Sequence, residues 1–251
     1  SMKYGFAGDR EISVKILELL ISLGYRPSFL LVSENKNATH TDKLIEVSQL
    51  DSSRIFTNKD LKSKDFIEKI KKFEVDYIFG IHYPFIINKE LINFPKVGFL
   101  NLHPAYLPYN KGWHTPSWAI YEGTKYGATL HFMSEKLDEG DIIHQREVEI
   151  LPEDTANSLY KRVLDLEYEV FKEAVPQLVS LAPNRVKQIE EGTEHKKTDL
   201  ENIREISLSE EIKAGDLINK LRALTTNNSD EAAFFVVDGV RYNIQVRIIK
   251  E

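Results

Sequence analysis

Asn101 and His103 stand two residues apart in a run from Phe99 to Pro108 that reads as the end of a buried strand breaking into a loop. Side chains at that spacing on a strand share one face, so an amide and an imidazole are presented together. Further on, the turn Leu137-Asp138-Glu139-Gly140-Asp141 offers a carboxylate to the pair. A hydrogen-bond donor, a base and an orienter make a catalytic set rather than packing material. The combination suits acyl transfer, in which a tetrahedral intermediate needs its oxyanion held while an attacking nitrogen loses a proton. Asn101 fits the first task, and His103 fits the second or assists the first. Asp138 would orient the imidazole, favour its charged form and help relay the proton. No serine or cysteine nucleophile is required if the substrate itself brings an amine, and several acyl-transfer schemes satisfy this set.

The elements that must position these residues alternate. Lys3–Ala7 reads as a strand, and Gly8-Asp9-Arg10 turns it into a helix with Ile12, Ile16, Leu19, Leu20 and Leu23 at helical spacing. Residues 29–32, 54–56, 76–81 and 98–103 read as further strands, and 43–49, 64–73 and 89–93 as helices. This predicts an α/β fold with a doubly wound, mostly parallel sheet of Rossmann-like form. Ligands of such sheets sit beyond the carboxyl ends of the strands, where Gly8–Arg10, His82–Pro84 and Asn101–Pro104 all fall. A short helix near Thr115–Tyr121 follows, then strands over 128–133 and 142–150. Pro152–Thr155 starts a long helix, capped by Asp154 or Thr155, that places Leu159, Val163, Leu166, Val170 and Leu178 on one side as far as Leu181. After Ala182-Pro183-Asn184 the sequence changes character. Polar, extended residues 190–197 lead to a helix over 214–225 and a hairpin pairing 234–237 with 241–248 across Asp238-Gly239. The domains are therefore expected at 1–183 and 184–251, the second a small α+β module ending in the hairpin.

Composition narrows the class. Among 251 residues, 42% hydrophobic and 29% charged content fits a soluble globular chain, and a net charge of -6 argues against a protein built to neutralise nucleic-acid phosphates. The lack of cysteine excludes disulfides, thiolate metal sites and cysteine nucleophiles. No apolar run is long enough to span a membrane and no basic-then-apolar leader is seen, so a cytoplasmic location is expected. His114, His131 and His144 lack the spacing of a metal site and read as surface or strand residues; no metal is expected. Gly5-x-x-Gly8 hints at a dinucleotide fingerprint, but its third glycine is missing and a tight turn is the better reading.

The pattern Asn101-x-His103-Pro104-x-x-Leu107-Pro108, then Gly112 and Pro116, then Leu137-Asp138-x-Gly140-Asp141, resembles the catalytic domain of the 10-formyltetrahydrofolate-dependent formyltransferases. The likeness covers roughly residues 3–181. It implies that Asn101, His103 and Asp138 are the catalytic triad, with Asp141 a second acidic position of the same turn. It also implies that 10-formyltetrahydrofolate is the co-substrate, bound along the loop Ile81–Ile87 by His82, Tyr83, Pro84, Phe85 and Ile86, with Asp138 and Asp141 opposite. Backbone groups can read a pterin's alternating donors and acceptors.

Among family members, a methionyl-tRNA formyltransferase would be expected to carry a sizeable C-terminal domain and a basic surface, whereas this tail is short and mixed in charge. A glycinamide ribonucleotide formyltransferase would not need the 214–249 module. Tyr109–Ala119 followed by Gly127–Phe132 is most similar to the enzymes that formylate dTDP-linked amino-dideoxyhexoses, with the amine on C3 or C4, for cell-surface polysaccharide such as O-antigen. By that likeness the nucleotide sugar would meet Gly8, Asp9 and Arg10 and the segment bearing Tyr109, Lys111, Gly112, Trp113, His114 and Trp118. Arg10 and Lys111 would face the diphosphate and an aromatic residue would stack on the base. The terminal hairpin would complete a homodimer. A hydrolase releasing formate from the same folate, or a folate or nucleotide-sugar sensor without catalysis, would use the same fold.

Overall fold

The structure, a computed structural model, describes all 251 residues. In chain order the elements are β1 (Tyr4–Gly8), α1 (Arg10–Ser22), β2 (Phe29–Val32), α2 (Thr41–Ser48), β3 (Ile55–Thr57), α3 (Asn58–Leu61), α4 (Phe66–Ile70), β4 (Tyr77–Ile81), α5 (Lys89–Asn93) and β5 (Gly98–His103). There follow β6 (Lys111–Gly112), α6 (Thr115–Glu122), β7 (Tyr126–Phe132), β8 (Ile142–Val148), α7 (Ala156–Val179), β9 (Glu194–His195), α8 (Ala214–Ala223), β10 (Ala233–Val237) and β11 (Val240–Ile244). No helix is long and apolar enough to cross a membrane.

Seven strands form one sheet in the order β3-β2-β1-β4-β5-β7-β8. The five strands from β3 to β5 are parallel, as the alternation predicts. β1, β2 and β4 are buried along their whole length, the condition of strands covered on both faces. Tyr4, Phe6, Tyr77, Phe79 and Phe171 are inaccessible to solvent, and each such side chain contributes about 1.5–3 kcal/mol on leaving water. Leu23, expected on the buried stripe of α1, falls just past the helix end and is half exposed.

β7 runs antiparallel to β5, which the sequence pattern did not distinguish from one more parallel strand. The register sets His131 opposite Asn101 and Thr129 opposite His103. Since Gly80 pairs with Asn101 from the other side and Ala7 with Gly80, the row Ala7, Gly80, Asn101, His131 crosses one face of the sheet.

The chain divides into two compact units, neither continuous in sequence. The first comprises Ser1–His103, Thr129–Gln145 and Glu167–Gln188; the second comprises Pro104–Ala128, Arg146–Leu166 and Ile189–Glu251. In the second, Trp118, Leu200, Leu224 and Ala233 form a buried cluster, and α6 packs against α8. β6 pairs with β9, the stretch expected only to be extended. The hairpin of β10 and β11 turns through Asp238 and Gly239, both with positive φ, the signature of the tight turn that Asp-Gly favours.

Candidate functional site

In the first unit, β5 delivers its last residues as expected. His103 is buried and Asn101 half-buried on the same face. The connection after β7 brings Asp138 back to them, its carboxylate 3.4 Å from His103 Nε2. Asp138 is itself buried and adopts a left-handed backbone, φ 57°, a conformation that Asp tolerates better than most residues. At Gly140, two residues on, a Cβ would collide with the Phe132 carbonyl oxygen, so only glycine lets the turn close this tightly.

His131 joins the group from β7. Its ring is 1% exposed, its Nδ1 lies 2.9 Å from the Phe132 carbonyl oxygen, and its Nε2 lies 3.6 Å from Asp138 Oδ1. A carbonyl only accepts, so the proton sits on Nδ1 and Nε2 is left facing the carboxylate with no hydrogen bond. Asp138 thus lies between two imidazoles whose centroids are 6.4 Å apart. Sequence reasoning gave His131 only a strand role, because its neighbour across the sheet depends on an antiparallel register that no local signal specifies.

The loop after β4 is anchored rather than open along its whole length. His82 takes a left-handed backbone and turns its ring away from the loop, placing Nε2 3.0 Å from both oxygens of Glu167, a fully buried α7 residue. Burial works against charge on the His82 ring, but the Glu167 carboxylate outweighs it and holds the pKa above the ordinary imidazole value. Tyr83 donates its hydroxyl to the Val32 carbonyl, and burial pushes its pKa up. Pro84 is exposed, Phe85 half-buried against the Tyr83 ring, and Ile86 97% exposed. Hence Pro84 and Ile86, on either side of Phe85, are the apolar side chains that the loop turns outward. Glu167 occupies the α7 stripe between the buried Val163 and Val170. A carboxylate within an apolar helical stripe was the sequence signal that could have found it.

At the end of β1, Gly8 and Asp9 are buried and Arg10 is exposed. Asp9 caps α1, and its carboxylate accepts the N–H groups of Arg10, Thr39 and His40. Burial opposes that charge, but the His40, Arg10 and Thr39 N–H groups and the Arg10 guanidinium together hold the carboxyl below its ordinary range. Arg10 also donates to the Asn37 carbonyl and Thr39 Oγ1, so this turn and the loop after β2 form one hydrogen-bonded unit.

In the second unit, Tyr109 donates its hydroxyl to Glu190, and the buried Lys111 donates Nζ to the Glu191 carbonyl. Gly112 has φ 89° and abuts the His195 backbone, where no Cβ fits. His114 Nδ1 lies 3.9 Å from Glu231. Trp118 belongs to the buried cluster and stacks on His195 at 3.9 Å, whereas Trp113 is half exposed with Lys197 Nζ 5.0 Å from its ring. No group of three or more His, Asp or Glu side chains could hold a metal ion.

A family model described as Formyl transferase matches residues 26–175, and one described as the N-formyltransferase dimerization C-terminal domain matches residues 199–250. The dTDP-4-amino-4,6-dideoxyglucose formyltransferase of Mycobacterium tuberculosis is 35% identical over 152 residues, 61% of this chain and 64% of that protein. Methionyl-tRNA formyltransferase of Bacillus thuringiensis is 32% identical over 201 residues, 76% of this chain and 62% of the relative. The matches therefore span less than two thirds of these curated relatives' length. Among solved structures, a 4-N formyltransferase from Francisella tularensis superposes with TM-score 0.84 at 26% identity, covering 100% of this chain and 99% of that one. A sugar N-formyltransferase from Shewanella superposes with TM-score 0.82 at 24% identity over 99% of each chain, a likeness of fold.

Proposed function

Because the chain belongs to the formyl transferase family, we propose that it moves a formyl group from 10-formyltetrahydrofolate to the amine of a nucleotide-linked amino-dideoxyhexose, with dTDP as the carrier. The observation that carries this reading is the Asp138 carboxylate 3.4 Å from His103 Nε2, beside Asn101 on the same face of β5. Asn101 donates its amide N–H to the oxygen of the tetrahedral intermediate, assisted by the imidazole. His103 takes the proton from the attacking nitrogen and passes it toward the leaving folate nitrogen, with Asp138 holding the ring and balancing its charge. The amide product and tetrahydrofolate are released.

The folate co-substrate is assigned to the His82–Ile86 loop, where the outward-facing Pro84 and Ile86 and the half-buried Phe85 supply apolar surface and the backbone supplies hydrogen bonds, with Asp138 and Asp141 opposite. His82 and Tyr83 serve by anchoring that loop through Glu167 and Val32. For the nucleotide sugar, contacts are assigned in the first unit to Gly8, Asp9 and Arg10. In the second unit they are assigned to Tyr109, Lys111, Gly112, Trp113 and His114, with Trp118 as support and Trp113 as the ring that stacks on the base. The formyltransferase domain is assigned to 1–183 and chain pairing in a homodimer to 184–251, a division supported by the two family matches. A cytoplasmic location and a product destined for cell-surface polysaccharide complete the proposal.

The test is incubation with 10-formyltetrahydrofolate and a panel of dTDP- and UDP-linked 3-amino and 4-amino sugars, read by mass. A formyl increment on a dTDP-linked sugar is the expected result. No increment on any sugar overturns the reading, and formate release indifferent to every sugar would point to a hydrolase.

A further inference from the structure

The segment that leaves α7 grips the Asp138 turn at several points. Ile142 and Val186 form an antiparallel bridge, with Ile142 N–H donating to Val186 O at 2.7 Å and Val186 N–H to Ile142 O at 2.9 Å. Arg185 places its guanidinium 3.9 Å from the centre of the Phe132 ring and its Nε 3.4 Å from Asp141. Gln188 then reaches into the turn, where its Nε2 donates to the carbonyl oxygens of Asp138 at 2.9 Å and of Gly140 at 2.8 Å. The amide can face this way only, since its oxygen has nothing to accept from two carbonyls. One side chain therefore spans the residue that carries the carboxylate and the glycine that closes its turn.

We propose that Gln188 is a positioning residue for Asp138. Resting on the catalytic reading of Asp138 given above, the inference assigns to Gln188 the placement of that carboxylate against His103. The need for such a clamp is local. Asp138 is held in a left-handed conformation within a connection whose residues 134–137 are all exposed or nearly so, and burial alone does not fix it. Both Gln188 bonds go to backbone carbonyls, so they set the direction in which the Asp138 side chain leaves the turn. An ångström of drift at such a group is enough to cost catalysis on the order of a hundredfold. Gln188 is also the last residue of the first unit.

The test compares full-length Gln188→Ala and Gln188→Glu with wild type, and with Asp138→Asn as the internal reference. Two readouts are taken: kcat and KM in the formyl-transfer assay, and amide hydrogen exchange over residues 134–142, which needs no substrate. In Gln188→Ala, kcat is expected to fall about tenfold to a hundredfold with KM for both substrates nearly unchanged, while exchange rises in the turn and not in β4 or β5. Gln188→Glu keeps the shape but sets a carboxylate against two carbonyls. It should match the alanine variant at neutral pH and regain rate relative to wild type as pH falls and the carboxyl gains a donor. Unchanged exchange, or a loosened turn with unchanged kcat, overturns the proposal. A fully active Asp138→Asn would instead sink the catalytic reading, leaving the clamp to be judged on exchange alone.

Discussion

At the scale of single residues, the proposed mechanism divides the site into groups that do chemistry and groups that hold them. His103→Ala should lower turnover on the order of 10²–10⁴-fold and Asn101→Ala on the order of 10²–10³-fold, the ranges for losing a proton-transfer group and an oxyanion donor. Asp138→Asn keeps a side chain that tolerates the left-handed backbone and removes only the charge, so it probes the carboxylate without unsettling the turn. Folding should survive in all three, and steady-state kinetics beside circular dichroism checks both halves of that statement. Near-normal rates in His103→Ala would remove the mechanism. The convergence of Asn101, His103 and Asp138 was legible in the sequence because spacing by two on a strand and an Asp-x-Gly turn are local signals. His131 and Gln188 were not, since each acquires its meaning from a partner brought by tertiary register, His131 across the antiparallel pair and Gln188 across the α7 exit.

At the scale of elements, the loop after β4 is tied to α7 by His82 and Glu167, and the tie has a pH dependence whose sign is fixed. The His82 pKa is raised in the folded protein, so its contribution to stability is full below the unfolded imidazole value and is lost as pH rises through the folded one. Thermal unfolding of wild type measured from mildly acidic to mildly alkaline pH should show this loss, and Glu167→Gln should flatten it. An unchanged slope in Glu167→Gln would show that the pair contributes nothing to the dependence. Asp9 works with the opposite sign: its carboxyl is held low, so its stabilisation is present above the unfolded value and fades as acid titrates the folded group. Strand and helix alternation was readable from apolar period and turn residues, as were the Asp9 turn and the terminal hairpin. The direction of β7 was not, because a strand buried along its whole length shows the same continuous apolar character whichever way it runs.

At the scale of the whole molecule, the terminal hairpin argues for association. Two strands alone are marginal in water, and here Val236, Val237, Val240 and Tyr242 leave large apolar side chains exposed, with Tyr242 stacked on Phe235. In the proposed homodimer these residues are covered by a second copy. Light scattering should then give twice the 29.0 kDa chain mass, and a Tyr242→Glu/Val240→Arg double variant should elute as a monomer. A monomeric wild type at micromolar concentration would contradict the assignment. The order of strands in the large sheet has a different consequence, one in time. β1 is an interior strand between β2 and β4, and its second edge is covered only by β4, whose Tyr77 pairs with Tyr4. During synthesis β1 must therefore wait on the order of seconds for this neighbour to leave the ribosome. Through that interval an apolar strand offers a bare hydrogen-bonding edge, so the nascent chain is open to pairing with the wrong strand long before it has a site to fill.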